Sequence, residues 1–155
     1  MPQHVDGKAT VSRTLFRLEN AVATRIHAKP EGIWNLLTNA SDHAKWNSTI
    51  VTISGNFQPN GKVHVVSKLD PKRTFKLKIS EFVPPSKLVW RDGFAPVFSG
   101  VRTYSLTPNP DGSTTFSMVE VLSGLMLPMI AGSLPDFKPN FERIAADLKE
   151  AAETN

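Results

Sequence analysis

Residues 26–47 read IHAKPEGIWNLLTNASDHAKWN. Pro30 suits the first turn of a helix, where its missing N–H leaves no bond unmade, and Ile33, Trp34 and Leu37 then share one stripe. Ser41 stands where it can cap a second short helix that ends near Trp46. The stretch before it, TLFRLENAVATRI (14–26), alternates for most of its length. Phe16, Leu18, Val22 and Ile26 lie on one face with Asn20 and Thr24, while Arg17, Glu19 and Arg25 lie on the other, which is the pattern of a long half-buried strand. Two short helices therefore interrupt a series of strands.

Downstream, the pattern returns to period two from residue 48 to 123, broken by turn signals at 55–61, 70–71, 84–86, 93–96 and 108–113. Strands are expected near 48–56, 62–69, 73–83, 86–93, 98–107 and 114–123, making seven antiparallel strands with the first. The period then changes again. Phe137, Phe141, Ile144, Ala145 and Leu148 form the stripe of an amphipathic helix, with Glu142, Arg143, Asp147 and Lys149 pointing away and Pro135 and Pro139 near its start. The architecture expected is α+β: a seven-stranded curved antiparallel sheet wrapped around a long C-terminal helix, with two short helices after strand one. Such a sheet with one helix across its concave side leaves a hollow that side chains need not fill. A chain of 155 residues suits one such domain over 13–155, with residues 1–12 a flexible tail.

Composition narrows the function classes. Apolar residues make up 40% and charged residues 21%, the balance of a soluble globular protein. Without cysteine there is no disulfide, no thiolate nucleophile and no thiolate metal site. The opening MPQHVDGKATVSRT lacks the apolar run of a signal peptide and no stretch is long enough to span a membrane, so a cytoplasmic protein without stable membrane insertion is expected. The net charge of +4 invites a nucleic-acid reading. In KRTFKLKIS, however, Lys76 and Lys78 alternate with Phe75, Leu77 and Ile79, separating cations from aromatics where nucleic-acid sheets mix them on one face. A solvated outer face and no nucleic-acid partner follow from that segregation.

The quoted segment also resembles the START/SRPBCC helix-grip superfamily, which includes birch pollen allergen-like proteins, START-type lipid-transfer domains and polyketide cyclase/dehydrases. The resemblance continues in KLVW (87–90), SGVRTYSLTP with DGST (99–114), VEVLSG and FERIAADLK, and covers Ala21 to Glu153. It points most closely to the bacterial polyketide cyclase/dehydrase and lipid-transport group, in which the position of Arg102 is often His or Arg and that of Ala145 often Asn. The branch related to a heat-shock chaperone activator usually closes with a Gly-Trp motif, and here no Trp follows Trp90. The resemblance implies a helix-grip fold and an apolar small-molecule ligand, and leaves activity open because members bind, transport or transform different ligands.

No nucleophile elbow, Walker loop, dinucleotide fingerprint or zinc-helix motif occurs, and His4, His27, His43 and His64 are scattered as surface or loop residues without ligand spacing, so neither a metal nor a cofactor is expected. The polar candidates come from strand parity. Phe98, Gly100, Arg102, Tyr104 and Leu106 share the inward face of one strand; Thr114, Phe116, Met118, Glu120 and Leu122 share that of the next. An odd-length loop centred on Asp111 places Arg102 opposite Glu120. Two readings stand: a pair that satisfies itself and pins the register, or an Arg102 that holds a ligand oxygen with Glu120 as orienting group or base and Tyr104 as a further donor. Around them, Trp46, Phe75, Leu77, Trp90, Phe98, Phe116, Met118, Phe137 and Phe141 are candidate ligand contacts. Asn47 reads as a backbone cap, Glu81 as an inward residue near enough the strand end to reach water, and Met126, Leu127, Met129 and Ile130 as a lid or as core. The function expected is binding of a lipid, aromatic or polyketide-like molecule. The alternatives are a cyclase/dehydratase using Arg102, Glu120 and Tyr104, and a protein-partner regulator without ligand. Monomer and dimer remain open.

Overall fold

The computed structural model describes residues 5–154; His4 lies outside them. The chain forms β1 (Thr10–Arg13), β2 (Arg17–Ile26), α1 (Pro30–Thr38), α2 (Ala40–Trp46), β3 (Ile50–Gly55), β4 (Lys62–Ser67), β5 (Phe75–Val83), β6 (Lys87–Phe94), β7 (Phe98–Pro108) and β8 (Thr114–Ser123). Then follow a single turn α3 (Leu127–Ile130), a 3₁₀ turn (Ala131–Ser133) and the long helix α4 (Lys138–Glu153). One antiparallel sheet runs in the order β1-β2-β8-β7-β6-β5-β4-β3. The sheet has eight strands and not seven. The additional one, TVSR, overlaps the stretch expected to be tail and pairs Thr10 to Arg13 with Ala21 to Leu18 of β2. It is short, polar and mostly exposed, so nothing in its periodicity announces a strand.

Local chemistry accounts for the helices. Pro30 opens α1, whose Ile33, Trp34 and Leu37 are buried. The cap of α2 is Asn39 rather than Ser41: its Oδ1 accepts from the Asp42 N–H at 3.1 Å, and Ser41 Oγ donates to the same oxygen at 2.9 Å. Pro139 falls in the first turn of α4, where it removes no helical bond. The stripe Phe141, Ile144, Ala145 and Leu148 joins Val22, Tyr104, Phe116 and Met118 in one core between helix and sheet. Asp147, expected to point away, is instead buried beside that stripe. Its Oδ2 accepts from the N–H and Oγ of Ser48 at 2.9 and 2.5 Å, and Arg143 stands 3.0 Å from Oδ1. A buried carboxylate with these partners ties α4 to the segment entering β3.

The parity of β5 is interrupted between Ile79 and Glu81. The extra residue turns Glu81 outward, where it pairs with Lys87 at 2.8 Å, and brings Phe82 in against Trp34 with ring centroids 5.2 Å apart. Ahead of the bulge the alternation holds: Phe75, Leu77 and Ile79 face inward while Lys76 and Lys78 are exposed.

Candidate functional site

Between the inner sheet face, α2, the α3 turn and the start of α4 lies a cavity of about 360 Å³, within the range of about 300–1,000 Å³ usual for small-molecule sites. Of the residues singled out by sequence, Phe75, Leu77, Trp90, Phe98, Arg102, Tyr104, Glu120 and Phe137 line it; Trp46, Phe116, Met118 and Phe141 do not. Phe116, Met118 and Phe141 are buried in the solid part of the core. Trp46 packs on its margin, with Nε1 donating to the Leu36 carbonyl at 2.8 Å and the ring 4.5 Å from that of His43. The expected lid divides: Leu127 is fully buried, Met129 is exposed, and Ile130 joins the cavity wall.

The β7–β8 hairpin sets Arg102 directly opposite Glu120, with Trp90 of β6 on one side and Asn20 of β2 on the other. Arg102 Nε donates to Glu120 Oε2 at 2.7 Å, and Nη2 donates to the same oxygen. Nη1 donates to Tyr104 Oη at 3.3 Å. The guanidinium carbon lies 5.8 Å from the Trp90 ring centre and 5.2 Å from that of Phe141, so two aromatic faces flank the cation. Burial works against the charge on Arg102, but Glu120 and Tyr104 outweigh it and hold its pKa above the ordinary value. Burial likewise pushes the Tyr104 hydroxyl up, with Arg102 opposing, so Oη keeps its proton. Because Oη accepts from Arg102, that proton is available to a third group.

Further polar lining residues, His43 and Asp92 among them, were not sequence candidates, whereas Asn47 was read as a backbone cap. His43, expected at the surface or in a loop, is 2% exposed. Its Nδ1 lies 3.0 Å from the Leu37 carbonyl and its Nε2 3.0 Å from Asn47 Nδ2. These partners require a ring that donates through Nδ1 and accepts at Nε2. Burial lowers its pKa to about 4, and the neighbouring Arg102 adds to the effect, so the ring is neutral at pH 7. Asn47 also accepts from the N–H and Oγ1 of Thr49 at 3.0 and 2.6 Å, which makes it a structural joint between α2 and β3. Asp92 lines the cavity too. It shares strand parity with Trp90, and that signal was sufficient to place it inward. His43 is four residues before Asn47 and three before Trp46, a spacing that puts all three on one side of α2.

Among the described residues no cluster of His, Asp and Glu converges to hold a metal ion, and no helix is long and apolar enough to cross a membrane. A family model described as polyketide cyclase/dehydrase and lipid transport matches residues 17–153. Solved structures share the fold at low identity. A conserved protein of unknown function from Enterococcus faecalis is 17% identical with a TM-score of 0.68, over 95% of this chain and 78% of that one. A protein from Chromobacterium violaceum is 16% identical with a TM-score of 0.63, over 88% and 98%. The di-domain ARO/CYC BexL from the BE-7585A biosynthetic pathway is 11% identical with a TM-score of 0.68, over 92% of this chain and 52% of that one. No curated protein matches the chain.

Proposed function

The chain belongs to the polyketide cyclase/dehydrase and lipid-transport family, and from that premise we propose that it binds, reversibly, a hydrophobic or amphipathic small molecule whose oxygen-bearing end meets Arg102 and Tyr104. The observation that carries this reading is the cavity itself, about 360 Å³ with an aromatic and aliphatic wall that includes the hydrogen-bonded group Arg102, Glu120 and Tyr104. Trp90, Phe98 and Phe137 offer apolar contact, and Arg102 Nη1 with the Tyr104 hydroxyl supplies directed hydrogen bonds. Native mass spectrometry of the purified protein tests it. A co-purified organic molecule that leaves on mild activation supports binding; a bare protein that takes up no aromatic or lipid probe at millimolar concentration removes it.

A second reading, cyclisation or dehydration of a reactive chain, is favoured by one observation. Tyr104 keeps its proton beside a fixed cation, an arrangement suited to polarising a carbonyl oxygen, and the neutral His43 lines the same cavity. In this reading Glu120 takes the α-proton of the substrate as base while Arg102 and Tyr104 stabilise the enolate charge that develops. Turnover of an aromatic or poly-β-keto model compound that falls on Tyr104→Phe, with binding retained, separates it from binding alone.

A further inference from the structure

Asp92 lies on β6 opposite Gly100 of β7 and two residues from Trp90, so its side chain rises from the inner face. Gly100 gives it room. A Cβ on that glycine would stand 2.9 Å from Asp92 Oδ1 and 3.1 Å from Leu122 Cδ2, so the carboxyl occupies the space that a side chain there would take. Of the described residues lining the cavity, three carry carboxyl groups, Asp70, Asp92 and Glu120, and two carry guanidinium groups, Arg73 and Arg102. Arg102 is already matched by Glu120, and both of its contacts fall on one oxygen, Oε2. Among the described residues Oε1 accepts no hydrogen bond, yet no buried side-chain oxygen lacks a partner, so Oε1 is an accessible acceptor on a side chain that lines the cavity.

We propose that the cavity selects neutral ligands whose oxygen can both give and accept a hydrogen bond, such as phenols and hydroxy ketones, and that Asp92 turns away carboxylates of the same shape. This rests on the binding reading above and narrows it. A neutral hydroxyl can accept from Arg102 or Tyr104 and donate to Glu120 Oε1 or Asp92. A carboxylate can only accept: it can take a bond from Arg102 Nη1 or Tyr104, but it then sets an anion beside the carboxyl groups of Glu120 and Asp92 with no proton to share, and a two-point pair with Arg102 would displace Glu120 and strand it. The proton preference of Asp92 fits the same picture: burial raises its pKa and the Glu120 charge adds to the rise, with Arg73 and nearby backbone N–H groups offsetting part, so a further negative charge is disfavoured there.

The test compares 2-naphthol with 2-naphthoate at pH 7 by isothermal titration, two probes with one ring system and different oxygen chemistry. Unmodified protein is expected to bind the naphthol about tenfold or more tightly. Asp92→Asn keeps the shape and removes the charge, and is expected to improve naphthoate binding severalfold relative to naphthol binding. Naphthoate binding as tight as naphthol binding in the unmodified protein overturns the inference and leaves the binding reading intact, and so does an affinity ratio that Asp92→Asn does not move. Failure of both probes and of naphthalene itself overturns the two together. The comparison in unmodified protein stands even if a variant folds poorly.

Discussion

Arg102 and Glu120 face one another across β7 and β8, and Nε of the first donates to Oε2 of the second at 2.7 Å. Their side chains are 18% and 21% exposed, which puts the pair at the cavity wall, neither in bulk water nor in the solid core. Removing one partner leaves a poorly hydrated charge, and a buried pair broken in this way typically costs about 3 kcal/mol or more. Glu120→Gln and Arg102→Met are therefore each expected to lower stability by about that amount in urea unfolding. Arg102→Met should also lose affinity for 2-naphthol while retaining naphthalene. If ligand preference stays the same in both variants, the pair only pins the register.

The pH dependence of stability should carry the signature of His43. Its folded pKa is about 4 because burial penalises the charged ring, against 6.5 for an unburied histidine. Between these values the unfolded chain binds a proton that the folded protein does not, so the contribution is complete above pH 6.5 and is lost as pH falls toward 4. A shift of this size corresponds to about 3 kcal/mol. The raised pKa of Asp92 works in the opposite sense, and the lowered carboxyls of Asp6, Asp111 and Glu153 add their losses in the acidic range of carboxylates. Urea midpoints from pH 7 to 5 should fall for the unmodified protein and fall much less for His43→Gln. Equal slopes would place the proton elsewhere.

On the outer face, register sets Lys62 opposite Lys78 and Lys78 opposite Arg91, a row of like charges across three strands. Like charges directly opposite in a sheet are unfavourable, and reversing the central one should gain about 0.5 kcal/mol at low salt. Lys78→Glu is expected to raise the unfolding midpoint, with the gain shrinking in 0.5 M salt as screening sets in. A lowered midpoint at low salt would contradict the repulsion read from this register. The same solvated reading expects DNA or RNA affinity no tighter than nonspecific, about 10⁻⁴ to 10⁻⁶ M.

The β7–β8 pairing was legible because the Asn109–Ser113 loop is odd in length and both strands keep unbroken period two from Phe98 and Thr114 onward. Once the face was known, Arg102 and Glu120 had to meet. Parity gives the face of a residue and not its depth, which is why Phe116 and Met118, on the inward set, sit in solid core beyond the cavity. The bulge after Ile79 left no mark in the pattern, since one inserted serine looks like any outward polar residue. Period two alone therefore assigns Glu81 to the inner face and gives no sign of Phe82 there. His43 was missed for another reason: a polar residue becomes a core residue when a backbone carbonyl and Asn47 satisfy both its nitrogens, and only the fold brings those two partners to it.

Ligand binding in the cavity is tested most directly by mapping the backbone amide signals of ¹⁵N-labelled protein during titration with 2-naphthol. Saturable shifts are expected at Trp90, Arg102, Tyr104, Phe137 and Ile144, all of which line the cavity, with the outward Lys76 and Lys78 unmoved. Saturable shifts confined to the outer sheet face, or none at millimolar probe, would contradict it.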